Sequence, residues 1–590
     1  MTRIPGGNLV FLVRMVWRYA GDQRRALALA YGLFLAANIA LAFQPVILAQ
    51  LIDTAQRGGA NFLPHIVALS VLYGGISFVF WGLHGPARVI ERRAAFQASR
   101  RFVAMLYQTV TELPLRWHQD HHSGNTINRI RKAEKALFTF GQAQFVPLQI
   151  IVRFTASTAM LALFSPWVAA ISVAASLAIL AVVRHFDKTL IPLVKKTNDA
   201  EHHLSSALYD YIGNIVTVLT LRMQGNTGAE IQSRYEGIKE PFWREQVVNE
   251  YKWGSMSLLQ ITAQAAIVGG YIAVTVAKGD AAALGAAVAI FQYLQIIMQQ
   301  FFQGSLTFEQ ILTQSIDVRG IDGLVADHAR LVAQHPPVAP RPWRIIAIDN
   351  LNFTHDEGVD ALHHLRGVSL SLRAGQKIAL VGSSGSGKTT LLTLLRGLYD
   401  AQSVALTIDG EAFSSLMPLS GFTTLIPQDS ELFENTVRYN LTLGTKTSEA
   451  TVRQALHIAA FDEVLPKLPR GIDTDIRERG VNLSGGQKQR LALARGLIAA
   501  RQSSLLLLDE PTSSVDQMTE GLIFDRLFRD YADKTIVASV HRLHLLPRFD
   551  HIVLMRDGVV VEQGDFTGLL ARQGEFARLW LAHLAQVEVG

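Results

Sequence analysis

The chain has no cysteine in its 590 residues, which excludes a disulfide framework, a metal-thiolate site and a catalytic thiol, and leaves its redox compartment open. Charge is scarce as well: 18% of the residues are Asp, Glu, Lys or Arg against 49% hydrophobic ones, and mean hydropathy is +0.21. Two soluble domains of ordinary composition would be less apolar, so a membrane-embedded part is expected. The scarcity is uneven. Charge-free runs extend over Ala26–Ile52, Asn61–Ala87, Phe154–Val183, Gly254–Ala277 and Ala281–Phe308, and none recurs beyond Glu309. Each meets or exceeds the roughly 20 residues that a spanning helix needs. The start, MTRIPGGNLVFLVRMVWRYAGDQRR, lacks a small-residue cleavage site; basic and amphipathic, it reads as an interfacial elbow helix and not a signal peptide.

The stretch Phe138–Val183 carries one charge, Arg153, and is interrupted at Ser165-Pro166, so it reads as two helices joined by a tight hairpin, giving six spans. The expected outer loops hold little positive charge (Arg57, Lys278), whereas the long segments around 88–137 and 184–252 are studded with Arg and Lys. The positive-inside rule puts both segments and both termini in the cytoplasm. Both read as membrane helices extended into the cytosol, with turns near LPLRWHQDHHSGN and YIGNIVTVLTLRMQGN. A bacterial plasma (inner) membrane is the expected location. After the proline-rich VAQHPPVAPRPW the composition turns to alternating short strands and helices. The expected boundaries are a transmembrane domain over 1–325, a linker over 326–344 and an α/β domain over 345–590.

Chemistry concentrates in the second part. After the strand-like KIALV comes GSSGSGKTT, with Gly382, Gly387, Lys388 and Thr389 in G-x-x-x-x-G-K-[ST] spacing, followed by an apolar helix. Backbone N–H groups at such a helix start close around phosphate oxygens, Lys388 reaches the β/γ-phosphates, and the Thr389 hydroxyl meets Mg²⁺. SSLLLLDE is an apolar run suited to a buried parallel strand and ends in Asp509 and Glu510; Asp509 would hold Mg²⁺ and Glu510 would polarise the attacking water. LSGGQKQR places two glycines after a serine at a helix start, either a second anion-binding terminus or a plain cap.

The order GSSGSGKTT, LIPQDSELF, NLSGGQ, LLLLDEPTSSVD and ASVHR resembles the nucleotide-binding domain of ATP-binding cassette (ABC) proteins, from Ile345 to about Trp580. The six-span layout before it is similar to the exporter-type, or type IV, half-transporter, so the fold class implied is an α-helical six-span transmembrane domain followed by an α/β P-loop ATPase, or nucleotide-binding, domain over 345–590. What the resemblance implies is specific. Gln428 is the loop glutamine touching Mg²⁺ and water, and His541 the histidine sensing the γ-phosphate, so that Glu510, His541 and Gln428 form the catalytic set. ATP would be bound by Gly382, Ser383, Gly385, Gly387, Lys388, Thr389 and Thr390. His355 would stand at the adenine, and Thr389, Gln428 and Asp509 would hold Mg²⁺. Ser484, Gly485, Gly486 and Gln487, with the D-loop acid Asp516, complete the site of the opposite subunit, so a dimer is implied, a homodimer first and a heterodimer second. Transmission tips would lie near Trp117–Gly124 and Tyr209–Val216.

Three departures stand out. The aromatic that usually stacks on adenine is His355, in FTHDE; the usual T-x-V-G-E-x-G reads TDIRERG, keeping Glu478 and Gly480 but with Arg477 for glycine; and the D-loop reads SSVD.

In the last span, Gln292, Gln295, Gln299 and Gln303 fall within an arc of about 80° on one helical face, and Gln300 about 60° beyond. They either line a translocation cavity or bond neighbouring helices. Arg153 faces that cavity, meets a partner, or snorkels from a shifted helix. The histidines His118, His121 and His122 read as an interfacial loop or, less simply, a metal site. The function expected is ATP-driven export or flipping of a peptide, lipid or glycan-like substrate across the bilayer by alternating access in a dimer. An importer built on the exporter fold and a non-transport ATPase module are the alternatives, and no nucleic-acid partner is expected.

Overall fold

The computed structural model describes residues 6–58, 62–121, 123–278, 284–334, 339, 341–354, 364–429, 431–476 and 483–589. It divides into two compact units, Met1–Thr111 with Ser123–Ala326, and Glu112–His122 with Asp327–Gly590.

The first unit is helical. An elbow helix α1 (Gly6–Ala20) precedes α2 (Arg24–Leu41), α3 (Gln44–Arg57) and α4 (Phe62–Thr111). Then come the short α5 (Leu115–Asp120), which belongs to the second unit, α6 (Ser123–Gln142), α7 (Phe145–Phe164), α8 (Pro166–Gly213), the short α9 (Ile215–Thr220), α10 (Gln224–Ala277), α11 (Leu284–Arg319) and α12 (Asp322–Gln334), which belongs to the second unit from Asp327 on. Among the described residues six helical stretches are long and apolar enough to cross a membrane, matching the six expected spans. The helices α4, α8 and α10 run 50, 48 and 54 residues; at about 1.5 Å per residue each measures roughly 70–80 Å, more than twice a hydrocarbon core of about 30 Å.

The hairpin falls where Ser165-Pro166 placed it: Ser165 is extended at φ −161° and Pro166 opens α8 in its first turn, where its missing N–H has no intrahelical acceptor to lose. Two breaks were not anticipated. The first span divides at Ala42–Phe43, with Pro45 in the first turn of α3. The third divides between Gln142 and Phe145, where buried Gln144 bonds the Tyr31 hydroxyl and its own Gly141 carbonyl. The core gathers around Tyr293, fully buried among Leu161, Val168, Ile267 and Ile297, with its hydroxyl donating to the Ala42 carbonyl at 2.7 Å. That bond satisfies an acceptor freed by the first break.

The expected transmission tips correspond to α5 and α9, the second beginning six residues after Tyr209. Part of the expected linker is helical, since α12 continues to Gln334. Trp117 donates from Nε1 to Asp327 at 3.1 Å and stacks on His121 at 4.1 Å. His118 and His121 thus serve packing, His122 lies outside the described residues, and among those described no three His, Cys, Asp or Glu gather as a metal site.

The second unit is built on two sheets. Strands β1 (Ile345–Phe353), β2 (Leu365–Arg373), β4 (Ser403–Ile408) and β5 (Glu411–Phe413) form an antiparallel sheet in the order β2-β1-β4-β5. The other has the order β12-β11-β3-β10-β9-β6, from β3 (Lys377–Val381), β6 (Thr423–Ile426), β9 (Leu505–Asp509), β10 (Thr535–Ser539), β11 (His551–Arg556) and β12 (Val559–Gly564). A small pair, β7 (Asn435–Thr436) and β8 (Asp475–Ile476), stands apart from both. All the pairs in the larger sheet are parallel except that of the edge strand β12. Every residue of β3, β9 and β10 is buried, which is why KIALV, LLLLD and TIVAS are nearly unbroken apolar runs. Because β3, β10 and β9 are adjacent and parallel, with Ser539 registered against both Leu380 and Asp509, their carboxyl ends open onto one crevice.

Candidate functional site

Three chain segments leave those strand ends and build the site. From Val381 the chain enters the glycine loop. Gly387 takes φ +97° as the residue before the Lys388–Leu395 helix, and a Cβ there would stand 2.7 Å from Leu365 Cδ2 and 3.0 Å from the His364 carbonyl. Only glycine meets both demands. Ser383 and Gly385 are exposed on the rim, as is Thr389; Gly382 and Thr390 are half-buried. Lys388 is buried, its ammonium donating to the carbonyls of Gly382 (2.8 Å) and Ser383 (3.0 Å). Burial pulls its pKa down while the charges of Glu510 and Asp509 draw it back up. A cation held inside a loop of backbone N–H groups and short of a counter-ion is a phosphate receptor.

From β9 the chain delivers two carboxylates with opposite surroundings. Asp509 is 3% exposed, and its Oδ1 has no hydrogen-bond partner. Burial pushes its carboxyl above the usual carboxylate range, and the Thr389 hydroxyl pulls it partly back. A buried, unpaired carboxylate oxygen beside a hydroxyl fits a hard divalent cation, which takes oxygen donors. Glu510 then turns into the left-handed region at φ +44°. Its Oε2 accepts from Gln428 Nε2 at 2.8 Å and its Oε1 meets His541 Nε2 at 2.5 Å. The three residues expected to be catalytic therefore converge on one carboxylate.

Residues that sequence reasoning missed surround this point. Glu520, 4% exposed, accepts from Thr512 Oγ1 at 2.6 Å and from Arg542 Nη1 at 3.2 Å, and the same Arg542 nitrogen donates to the Val515 carbonyl at 2.7 Å. Arg542 thereby ties the segment of His541 to the D-loop. Gln489 reaches the Glu510 carbonyl from the signature helix at 2.9 Å. The available signals were weak: Arg542 adjoins His541, Gln489 adjoins LSGGQ, and Glu520 is an acid among apolar neighbours of the Gln517–Asp530 helix.

The signature motif is preorganised on its own. Ser484 caps the Gly485–Ala499 helix, with its hydroxyl accepting from Gln487 N and Gln487 Oε1 accepting from Ser484 N at 2.9 Å. A Cβ on Gly486 would stand 2.7 Å from the Ser514 carbonyl, so glycine lets this helix lie against the D-loop. Among the described residues no hydrogen bond joins Ser484–Gln487 to the glycine loop of the same chain. Asp516 accepts from Thr519 N at 2.9 Å and caps the helix after it. His355, and Arg477, Glu478 and Gly480 of TDIRERG, lie outside the described residues.

In the membrane unit, Gln295, Gln299 and Gln303 are exposed on α11, Gln292 is half-buried, and Gln300 is buried with its Oε1 unpartnered. Arg153 takes the partner that its position demanded. Its Nε donates to Asn38 Oδ1 at 2.8 Å, and its guanidinium lies 5.8 Å from the Phe80 ring.

Comparison with known proteins agrees with this geometry. The model of the ABC transporter transmembrane region matches residues 27–301, and that of the ABC transporter matches 365–513. An ATM1-type heavy metal exporter of Novosphingobium aromaticivorans is 28% identical over 512 residues, 84% of this chain and 82% of that protein. The mitochondrial iron-sulfur clusters transporter ABCB7 of Rattus norvegicus is 26% identical over 603 residues, 96% of this chain and 77% of that one. Heavy metal tolerance factor 1 of Caenorhabditis elegans is matched over 61% of its own length, and five further curated relatives over 20–37% of theirs. Among solved structures, a bacterial Atm1-family ABC exporter with ATP bound is similar with a TM-score of 0.75 at 25% identity, covering 95% of this chain and 98% of that one.

Proposed function

Because this chain belongs to the ABC transporters, with the membrane region and the ATPase domain fused in one polypeptide, we propose that two copies form a homodimer. The proposed setting is a bacterial plasma membrane with the nucleotide domains in the cytoplasm, from which ATP hydrolysis drives a polar solute outward. The observation that carries this reading is the meeting of Gln428 and His541 on Glu510, beside a buried phosphate-seeking Lys388. When phosphate enters, Lys388 exchanges the loop carbonyls for phosphate oxygens. Glu510, released on one oxygen, takes a proton from water as the water oxygen bonds the γ-phosphorus and the β–γ bridging oxygen leaves with ADP, while His541 holds the other oxygen of Glu510. Thr389, Gln428 and Asp509 would hold a magnesium ion, which when bound neutralises phosphate charge. Ser484, Gly485, Gly486, Gln487 and Asp516 face the nucleotide of the partner copy.

The relatives named for heavy metals and iron-sulfur clusters bear on the solute. Soft metal ions favour thiolate ligands; this chain has no cysteine, and among the described residues no three His, Cys, Asp or Glu gather to hold an ion. On this reading a metal cargo travels inside an organic complex, whose polar shell meets the amides of Gln295, Gln299 and Gln303. This widens the class from peptides, lipids and glycans, which the amides suit equally, to metal complexes of small polar thiols. Inside-out vesicles containing the purified protein test the reading. ATP-dependent uptake of cadmium complexed by a small thiol peptide, without uptake of free cadmium, is the expected result. Uptake of the free ion would sink the organic-complex reading, and accumulation only in right-side-out vesicles would reverse the direction.

A further inference from the structure

Gln489 lies on the signature helix, 5% exposed, at i+3 from Gly486 and so on the same helical face. Its amide makes three hydrogen bonds to the segment that follows β9. Nε2 donates to the Glu510 carbonyl and to Ser513 Oγ, each at 2.9 Å, and Oε1 accepts from Ser514 N at 2.8 Å. Both amide hydrogens are thereby used, in a buried site where an unmet donor would be costly.

The target of this grip is unusual. Glu510 is not glycine, yet it sits at φ +44°, a conformation that persists only where the surroundings over-determine it. Within its own turn the Glu510 carbonyl receives only a long bond, from Ser513 N at 3.3 Å. Gln489 supplies the shorter one. The turn aims the Glu510 side chain at Gln428 and His541, so whatever fixes the turn fixes the direction of the carboxylate.

We infer that Gln489 is a positioning residue for hydrolysis: from the signature helix it clamps the left-handed turn at Glu510 and so keeps the carboxylate aligned. This rests on Glu510 being the base. Gly486 packs against Ser514 on the same helical face, so seating of the signature helix and alignment of the base are mechanically one event. A chain whose signature helix is displaced holds ATP with its base misdirected.

The test uses the full-length protein in lipid nanodiscs. Gln489→Glu keeps the acceptor for Ser514 N and loses both donors; Gln489→Met keeps the length and loses all three bonds. Steady-state ATPase gives kcat and KM, a fluorescent ATP analogue gives nucleotide affinity, and thermal unfolding gives Tm. The expected result is a fall in kcat of roughly tenfold to a hundredfold, part of the roughly 10²–10⁴ that a general base contributes, with nucleotide affinity unchanged and Tm lowered no further than the lost buried hydrogen bonds require. The inference is overturned if both variants keep kcat within about twofold of the parent. It is equally overturned if kcat, affinity and Tm fall together, or if neither variant folds, since Gln489 is then a structural residue. Glu510→Gln is measured alongside. If that variant turns over normally the base assignment itself fails, an outcome separable from any result at position 489.

Discussion

The two units handle buried and exposed polar groups in opposite ways. At the strand ends of the ATPase unit each oxygen of Glu510 and of Glu520 meets a named partner, and the carboxylate of Asp516 caps a helix. On α11 of the membrane unit Gln295, Gln299 and Gln303 stand exposed. A reaction with one transition state gains from groups fixed before the substrate arrives, since no reorganisation is then required. A surface that must accept and release a bulky solute gains from neutral amides, each able to donate and accept, whose hydration is exchanged piecemeal.

The largest expected effect breaks the committed side. Glu510→Gln should retain ATP and lose roughly 10²–10⁴ in turnover, because the amide keeps the shape of the carboxylate and cannot take a proton. Lys388→Ala should instead lose nucleotide binding, the cation being the group that replaces loop carbonyls with phosphate. Phosphate release and ATP-analogue binding, measured on both variants, separate these outcomes. Normal turnover in Glu510→Gln would mean that the contacts of Gln428 and His541 are packing alone.

The membrane unit has committed polar pairs of its own, Asn38 with Arg153 among them. Asn38 is 1% exposed and bonds Arg153, the one charge of the third span. Asn38→Ala should lower stability by about 1–3 kcal/mol, the penalty of leaving a buried polar group unpaired. Thermal unfolding in nanodiscs reads it. An unchanged Tm would show that Arg153 reaches water, and would move it from the committed side of the comparison to the adaptable one.

Asp509 is an exception on the committed side, with an oxygen left unpaired. Burial raises its pKa in the folded state, so the folded protein binds that proton more tightly than the unfolded chain does. Its favourable contribution is complete below the unfolded pKa, about 3.9, and is lost as pH rises through the raised folded value. Above that raised value the ion-free protein carries a desolvated carboxylate. Asp509→Asn should raise the Tm of ion-free, nucleotide-free protein at pH 7, by up to about 1 kcal/mol in stability because the amide has its own unmet groups. The gain should shrink as pH falls through the acid range. Added magnesium should stabilise the parent with ATP more than the variant. A Tm difference independent of pH would mean that Asp509 is not the titrating group.

Much of this was legible in the sequence because buried parallel strands and membrane spans write themselves as apolar runs. KIALV, LLLLD and TIVAS are strands with no exposed residue, and Ser165-Pro166 marks its hairpin through the geometry of proline. The motifs located Lys388, Asp509, Glu510, Gln428 and His541, and adjacency of β3, β10 and β9 explains why they converge. The rest depends on which polar atoms meet. Nothing in the residue order announces that Gln489 holds the Glu510 carbonyl, that Arg542 bridges to Val515, or that Tyr293 satisfies Ala42 across a broken span. Those are long-range pairings, and periodicity carries no information about them.

The smallest expected change in stability belongs to the glutamine face, and it sharpens the comparison most. A membrane amide bond between helices stabilises by about 0.6 kcal/mol on average. Gln300 is buried, but its Nε2 reaches only the Ile296 carbonyl of its own helix, at 3.4 Å, and its Oε1 is unpartnered, so it gives no such support. Gln300→Leu should leave Tm unchanged or raise it slightly, since an apolar side chain removes the unmet acceptor. Gln295 and Gln299 are exposed one turn apart on the same helix. The double variant Gln295→Ala with Gln299→Ala should therefore change Tm hardly at all, yet alter the solute concentration that half-stimulates ATPase by severalfold, since each lost hydrogen bond to a solute contributes about 0.5–1.5 kcal/mol. ATPase stimulation by a thiol-complexed metal, titrated in nanodiscs, gives the second quantity and thermal unfolding the first. If the double variant instead loses stability and keeps its solute response, these amides bond helices as firmly as the ATPase unit bonds its carboxylates, and the contrast between the two regions disappears.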